Sequence, residues 1–176
     1  MRHPLVITVV GADRPGIVGR LADVVAAHDA DWLESRMADL AGQFAGIVRV
    51  DVAAERRAAL VAELKALDGE GLAVTLADGR AGADPDAASA RTLALELTGL
   101  DHPGIVRDIG AVLAQRGVSV ESLETERLSG SMSGEMLFVA RARLALPEGL
   151  TLDALEEALD EVSSGLMVDV ALDPAD

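Results

Sequence analysis

Apolar positions along this 176-residue chain switch between two spacings, and the switches mark its elements. Residues 5–10 are short and β-branched, which predicts a strand. From Pro15 the period lengthens. Ile17, Leu21, Val24, Val25 and His28 fall on one face of a helix, with Arg20, Asp23 and Ala27 elsewhere. Residues 30–39, with Trp32, Leu33 and Met37, predict a second strand, which Gly42 breaks. Phe44, Gly46, Val48, Val50 and Val52 share one face of a third strand, while Arg49 and Asp51 point the other way. Leu60, Val61, Leu64 and Leu67 stripe a helix over 55–67, which Gly69 and Gly71 end, and a fourth strand follows over 72–76.

Residues 80–91 lose all periodicity and are rich in small side chains, as a linker would be. The pattern then returns. A strand is predicted over 93–98, followed by a helix with Ile105, Val106, Ile109, Val112 and Leu113 as its stripe. A strand over 118–128 and a turn over 129–134 lead into a third strand over 135–146. There Met136, Phe138, Ala140, Ala142 and Leu144 match the Phe44 face at an offset of 92 residues. A helix over 151–162 turns Leu152, Leu155, Leu159 and Val162 inward, with Thr151 or Ser163 at its ends and Gly165 as its stop. The last strand is predicted over 166–172. Each half reads βαββαβ, the split-βαβ arrangement. Right-handed crossovers place both helices of a unit on one face of its sheet. The predicted class is α+β, with two ferredoxin-like βαββαβ units in tandem, over residues 1–79 and 92–176.

The repeat is sharpest at one junction. Gly11-Ala12-Asp13-Arg14-Pro15-Gly16-Ile17-Val18 returns as Gly99-Leu100-Asp101-His102-Pro103-Gly104-Ile105-Val106, and six of the eight positions are identical. In each copy the segment follows an apolar run and opens a helix. Pro15 has a pre-set φ suited to a first helical turn. Asp13 is placed to cap the helix by accepting from the Gly16 N–H. Gly11 lets the chain turn out of the strand, and Gly16 removes a side chain where a ligand would approach the helix N-terminus. That terminus carries free N–H groups and partial positive charge, a seat for a carboxylate. Two readings of Asp13 and Asp101 stand: helix caps and nothing more, or acceptors for the ammonium of a small ligand.

Charge narrows the partners. The net charge is −15. Residues 1–80 carry 9 basic and 12 acidic groups, and the remainder carries 6 and 18. So acidic a surface repels phosphate backbones, which argues against direct nucleic-acid binding. The chain has no cysteine, so disulfides, thiolate metal sites and cysteine nucleophiles are excluded. No apolar run approaches the ~20 residues that span a bilayer, and the N-terminal run lacks a cleavage pattern. A cytoplasmic protein is expected. His3, His28 and His102 show no ligand spacing, and no metal or cofactor is expected. His102 has two readings: an exposed loop side chain and nothing more, or one that titrates near neutrality or touches a ligand. Glu121, Glu124 and Glu126 read as a solvated face rather than a paired-carboxylate site. With no catalytic constellation in view, an enzyme is not expected.

The two Gly-x-Asp-x-Pro-Gly-Ile-Val loops, inside matching βαββαβ patterns, resemble those of ACT domains, amino-acid-sensing modules of this fold. The resemblance covers nearly all of both halves. Glu34-Ser35-Arg36-Met37-Ala38-Asp39-Leu40-Ala41-Gly42-Gln43-Phe44 further resembles the glycine cleavage system transcriptional repressor group. Members of that group have two ACT domains and no DNA-binding domain. The resemblance implies a regulatory protein that binds a small amino acid, glycine or serine first, and contacts a protein partner, with a homodimer as its assembly. It places the ligand at Gly11, Ala12, Asp13, Arg14, Pro15 and Gly16, and at Gly99, Leu100, Asp101, His102, Pro103 and Gly104. The chain departs from the family in one respect: it has no asparagine, a residue many amino-acid-binding ACT loops carry. An oligomerising scaffold without a working ligand site is the alternative.

Overall fold

The computed structural model describes residues 2–79, 91–129 and 134–175. The expected linker over 80–91 lies almost wholly outside the described residues, as do four positions of the 129–134 turn. The chain divides into two compact units, Met1–Ala87 and Ala88–Asp176.

The first unit runs β1 (Arg2–Ala12), α1 (Ile17–Ala27), β2 (Asp31–Leu40), β3 (Gln43–Ala53), α2 (Ala54–Ala66), a 3-10 turn (Leu67–Glu70) and β4 (Leu72–Asp78). The second repeats it as β5 (Thr92–Leu100), α3 (Ile105–Gln115), β6 (Ser119–Ser129), β7 (Met136–Ala145), α4 (Leu152–Leu166) and β8 (Val168–Pro174). Each sheet has four antiparallel strands, in the orders β2-β3-β1-β4 and β6-β7-β5-β8. This is the predicted ferredoxin-like arrangement, twice.

Alternation along the central strands builds the cores. Leu5, Ile7 and Val9 of β1 and Val48, Val50 and Val52 of β3 are buried beneath Leu21 and Val24 of α1 and Leu60 and Leu64 of α2. In the second unit Leu93, Leu95, Leu97 and Leu144 meet Ile109 and Leu113 of α3 and Leu155 and Leu159 of α4. On the opposite sheet face Arg141 pairs with Glu96 at 3.6 Å and Glu126 at 3.3 Å, and Arg143 with Glu121 at 3.9 Å. The acidic strand β6 is thus part of a solvated ion-pair network, as its composition suggests.

Several details differ from the periodicity. Gly11 pairs with Phe44 and Gly99 with Phe138, so the third strands match at an offset of 94 rather than 92. Met136, expected beside the core, is the exposed first residue of β7. Val106 follows the helical stripe, yet it sits at the helix start and is 50% exposed. Gly165 does not stop α4. The helix continues to Leu166, and Met167 ends it in the left-handed conformation at φ 54. Thr151 does cap α4, its hydroxyl accepting from the Ala154 N–H at 3.3 Å.

Gly11 does not turn the chain out of β1 but lies within the strand. Its role is close approach. A Cβ at Gly11 would sit 2.6 Å from the Gly71 carbonyl oxygen, and one at Gly99 would sit 2.6 Å from that of Met167 and 2.5 Å from Val168. The first strand of each unit therefore lies against the junction where the second helix gives way to the last strand. Substituting Gly99→Ala should destabilise the protein by about 1–3 kcal/mol, the range for forcing a methyl into packed surroundings. A lower urea midpoint at unchanged slope is the expected result.

Candidate functional site

The repeated loops sit alike in both units. The Asp13 N–H donates to the Gly42 carbonyl at 2.9 Å, and the Asp101 N–H to that of Met136 at 2.8 Å. The first loop is thereby anchored to the β2–β3 turn and the second to the start of β7. Pro15 and Pro103 lie in the turn before the helix, not within it. Gly16 and Gly104 are the N-cap residues, at φ 95 and 106. Only glycine adopts such angles without strain. Each N-cap carbonyl accepts the first helical bond, from Arg20 N–H and Asp108 N–H at 2.9 Å.

Neither aspartate caps its helix: α1 and α3 have no side-chain cap. The reason lies in the loop. A left-handed glycine occupies the capping position, and each aspartate stands three residues earlier, on the strand side of the proline. The two aspartates also differ. Asp13 is exposed and makes no ion pair or side-chain hydrogen bond among the described residues. Asp101 is largely covered and pairs with Arg127 of β6 at 2.6 Å.

The residue after each aspartate reaches the same seam. An Arg14 N–H donates to the Glu70 carbonyl at 2.8 Å. His102 sits with Nε2 2.8 Å from the Leu166 carbonyl and Nδ1 3.1 Å from that of Pro103. Glu70 and Leu166 each stand two residues before the last strand, at the C-terminal end of the unit's second helix or turn. A cation there meets unpaired carbonyls and the negative end of a helix dipole. His102 is therefore not the open loop side chain expected of it. Both its ring nitrogens face acceptors, and only the imidazolium donates from both. Those backbone hydrogen bonds, to Leu166 first, raise its pKa above the ordinary value, helped by the nearby charges of Asp101 and Asp108.

The surrounding charges are not shared between the copies. In the first unit Arg20 of α1 grips the Glu70 carboxylate, at 2.9 Å from Nη2 and 3.2 Å from Nε, and the hydrogen bond holds Glu70 below its usual pKa. His28 Nε2 lies 2.8 Å from Glu63. In the second unit the position of Arg20 belongs to Asp108, which Arg107 engages at 2.7 Å. The partners Glu70, Leu166 and Arg127 were not evident in the sequence, since they meet the loops only through the fold. The reversal from Arg20 to Asp108 was visible in the repeat itself. Among the described residues no cluster of His, Asp and Glu could hold a metal ion, and no helix is long and apolar enough to cross a membrane.

The family model of the ACT domain matches residues 3–75. Residues 3–75 thus belong to the ACT-domain family, and the second unit repeats the same topology. Over its full length it is similar to the solved structure of an unknown protein from Galdieria sulphuraria, at 30% identity, covering 100% of both chains with a TM-score of 0.84. It also matches a candidate glycine cleavage system transcriptional repressor at 21% identity and a TM-score of 0.73, over 98% of this chain and 97% of the other. At that identity the second likeness shows the shared tandem fold. No curated protein matches the chain.

The raised pKa of His102 sets a pH dependence. A group protonated more readily in the folded state stabilises it fully below the unfolded pKa, about 6.5, and loses that contribution as pH rises through the folded value. His102→Ala should therefore cost stability at pH 5.5 and little at pH 9. Arg14→Ala should cost the same at both. Denaturant midpoints of the two variants against pH check this, and an NMR titration of the His102 ring locates the folded pKa above 6.5.

Proposed function

We propose that this ACT-domain protein is a non-enzymatic regulator whose first loop, Gly11 to Gly16, binds a small amino acid. ACT domains as a class bind small amino acids and oligomerise. The observation that carries the reading is the pairing of an uncapped helix N-terminus with a free carboxylate, Asp13, three residues before its cap. An α-amino acid needs a positive seat for its carboxylate and a negative one for its ammonium. The first N–H groups of α1 supply one, and Asp13 the other. Because Asp13 is not spent on capping, it is available for both steering and contact.

Glycine and serine fit best, since the open space at Gly16 receives a ligand with little side chain. Ligand binding would favour one arrangement of the units, residues 1–79 and 92–176, or of a homodimer, and present it to a protein partner. Likeness to the candidate repressor supports a partner in the transcriptional control of glycine breakdown, reached without direct nucleic-acid contact. A cytoplasmic location accords with that role. A specific observation favours the structural alternative for the second loop: Asp101 is already paired with Arg127. That loop, Gly99 to Gly104, acts as a fastening unless a ligand displaces Arg127.

Isothermal titration with the twenty amino acids tests the proposal, glycine and serine first. One saturable ligand is expected, and at a hundredfold excess over Kd it adds about 2.7 kcal/mol to stability. Asp13→Ala should weaken binding at least tenfold without changing the unliganded Tm. Asp101→Ala should leave binding unchanged. Absence of heat and of thermal shift for every amino acid at millimolar concentration would leave the scaffold reading.

A further inference from the structure

A cavity of about 70 Å³ opens in the second unit between α3 and the sheet. Leu97 of β5, Ile109 and Gly110 of α3, Val120 of β6, and Phe138 and Ala142 of β7 form much of its wall, and every lining residue is apolar. Val120 and Leu123, about half exposed, stand at its mouth.

Strand pairing fixes which residues of the first unit correspond to these. Trp32 pairs with Val50 and Val120 with Leu144, and each strand bulges directly afterwards. Val48 and Ala142 face Ser35 and Leu123 in the same register. Ala22 stands where the second helix has Gly110. At three neighbouring places the second unit thus carries the smaller residue: valine for tryptophan, alanine for valine, glycine for alanine. Trp32 packs against the first core. Leu123 in place of Ser35, Ala140 in place of Gly46, Leu97 in place of Val9 and Leu113 in place of Val25 return volume around the cavity, but none of them occupies the place of the indole, and Leu123 lies at the rim.

Close-packed interiors seldom leave such space, because lining atoms without neighbours forgo dispersion contacts. Water is a poor occupant here, since it needs two to four polar partners and the walls offer no polar side chain. A dry apolar cavity takes an apolar guest. At roughly 10–15 Å³ for each water-sized occupant, this one admits a group of about five heavy atoms.

We infer that the cavity is a binding site for the branched aliphatic or phenyl group of a small molecule, in the place that the first unit fills with its own Trp32. It contains none of the residues 99–104, so the inference stands apart from the amino-acid reading of the loops.

The chain has five isoleucines, which makes the test direct. Ile105 and Ile109 line the cavity, and Ile7, Ile17 and Ile47 belong to the first unit. The full-length protein, labelled at isoleucine δ1 methyls, is titrated with 3-methyl-1-butanol and with benzene. Saturable shifts at Ile105 and Ile109 alone are expected, weakened at least tenfold by Val120→Trp. Where Val120→Trp loses the native methyl spectrum, Ala142→Val replaces it under the same criterion. No shift up to the solubility limit, equal shifts at all five methyls, or unchanged binding in the filled variant overturns the inference. So do shifts at Ile105 and Ile109 on raising protein concentration alone, which identify a second copy as the occupant.

Discussion

Each unit is closed by the seam between its first strand and the start of its last. Gly11 lies so near the Gly71 carbonyl, and Gly99 so near that of Met167, that no side chain fits between them. The approach brings the loop after β1 beside the 3-10 turn that ends α2, and the loop after β5 beside the C-terminal end of α4. There a basic side chain reaches a carbonyl, Arg14 that of Glu70 and His102 that of Leu166. The helix that follows the loop is thereby fixed in position, and so is its N-terminus. The candidate ligand site is a by-product of this closure: a left-handed glycine, an uncapped helix and an aspartate set aside from capping all follow from how the loop must run.

The two halves keep this frame and diverge around it. One uses Arg20 and Glu70 to tie the first helix to the seam; the other pairs Arg107 with Asp108 and Asp101 with Arg127. Duplicated units that differ in this way need not respond to the same signal. A free carboxylate, Asp13, and a neutralised one, Asp101, present different electrostatic surroundings to anything that approaches the two loops.

The elements and their order were legible because the central strands are strictly alternating and the helices strongly one-sided. Val48, Val50 and Val52 show it, as do Leu155 and Leu159. The loops were legible because they occur twice. What the chain order concealed is long-range. Nothing near Asp101 announces Arg127, and nothing near His102 announces the Leu166 carbonyl, since both contacts exist only once the sheet has formed. Gly165 misled for a local reason: glycine usually ends a helix by adopting positive φ, and here Met167 does so two residues later. Trp32 read only as part of the second strand, and the register of β2 against β3 shows it matched to Val120 of the second half.

Met167 carries a consequence for where the chain holds backbone strain. Its counterpart in the first unit is Gly71, which holds a left-handed φ of 84 without a side chain to crowd it. Met167 holds φ 54 with its side chain standing mostly in solvent, where little packing offsets a cost of about 1–2 kcal/mol for an L-residue in that region. The first unit carries the same kind of cost elsewhere: Asp29, at φ 49, stands where the second unit has Gly117, at φ 68, and Ala41 holds φ 52. Each half thus carries backbone strain where the other has a glycine, and the duplication has kept the left-handed turn while exchanging the residue that makes it.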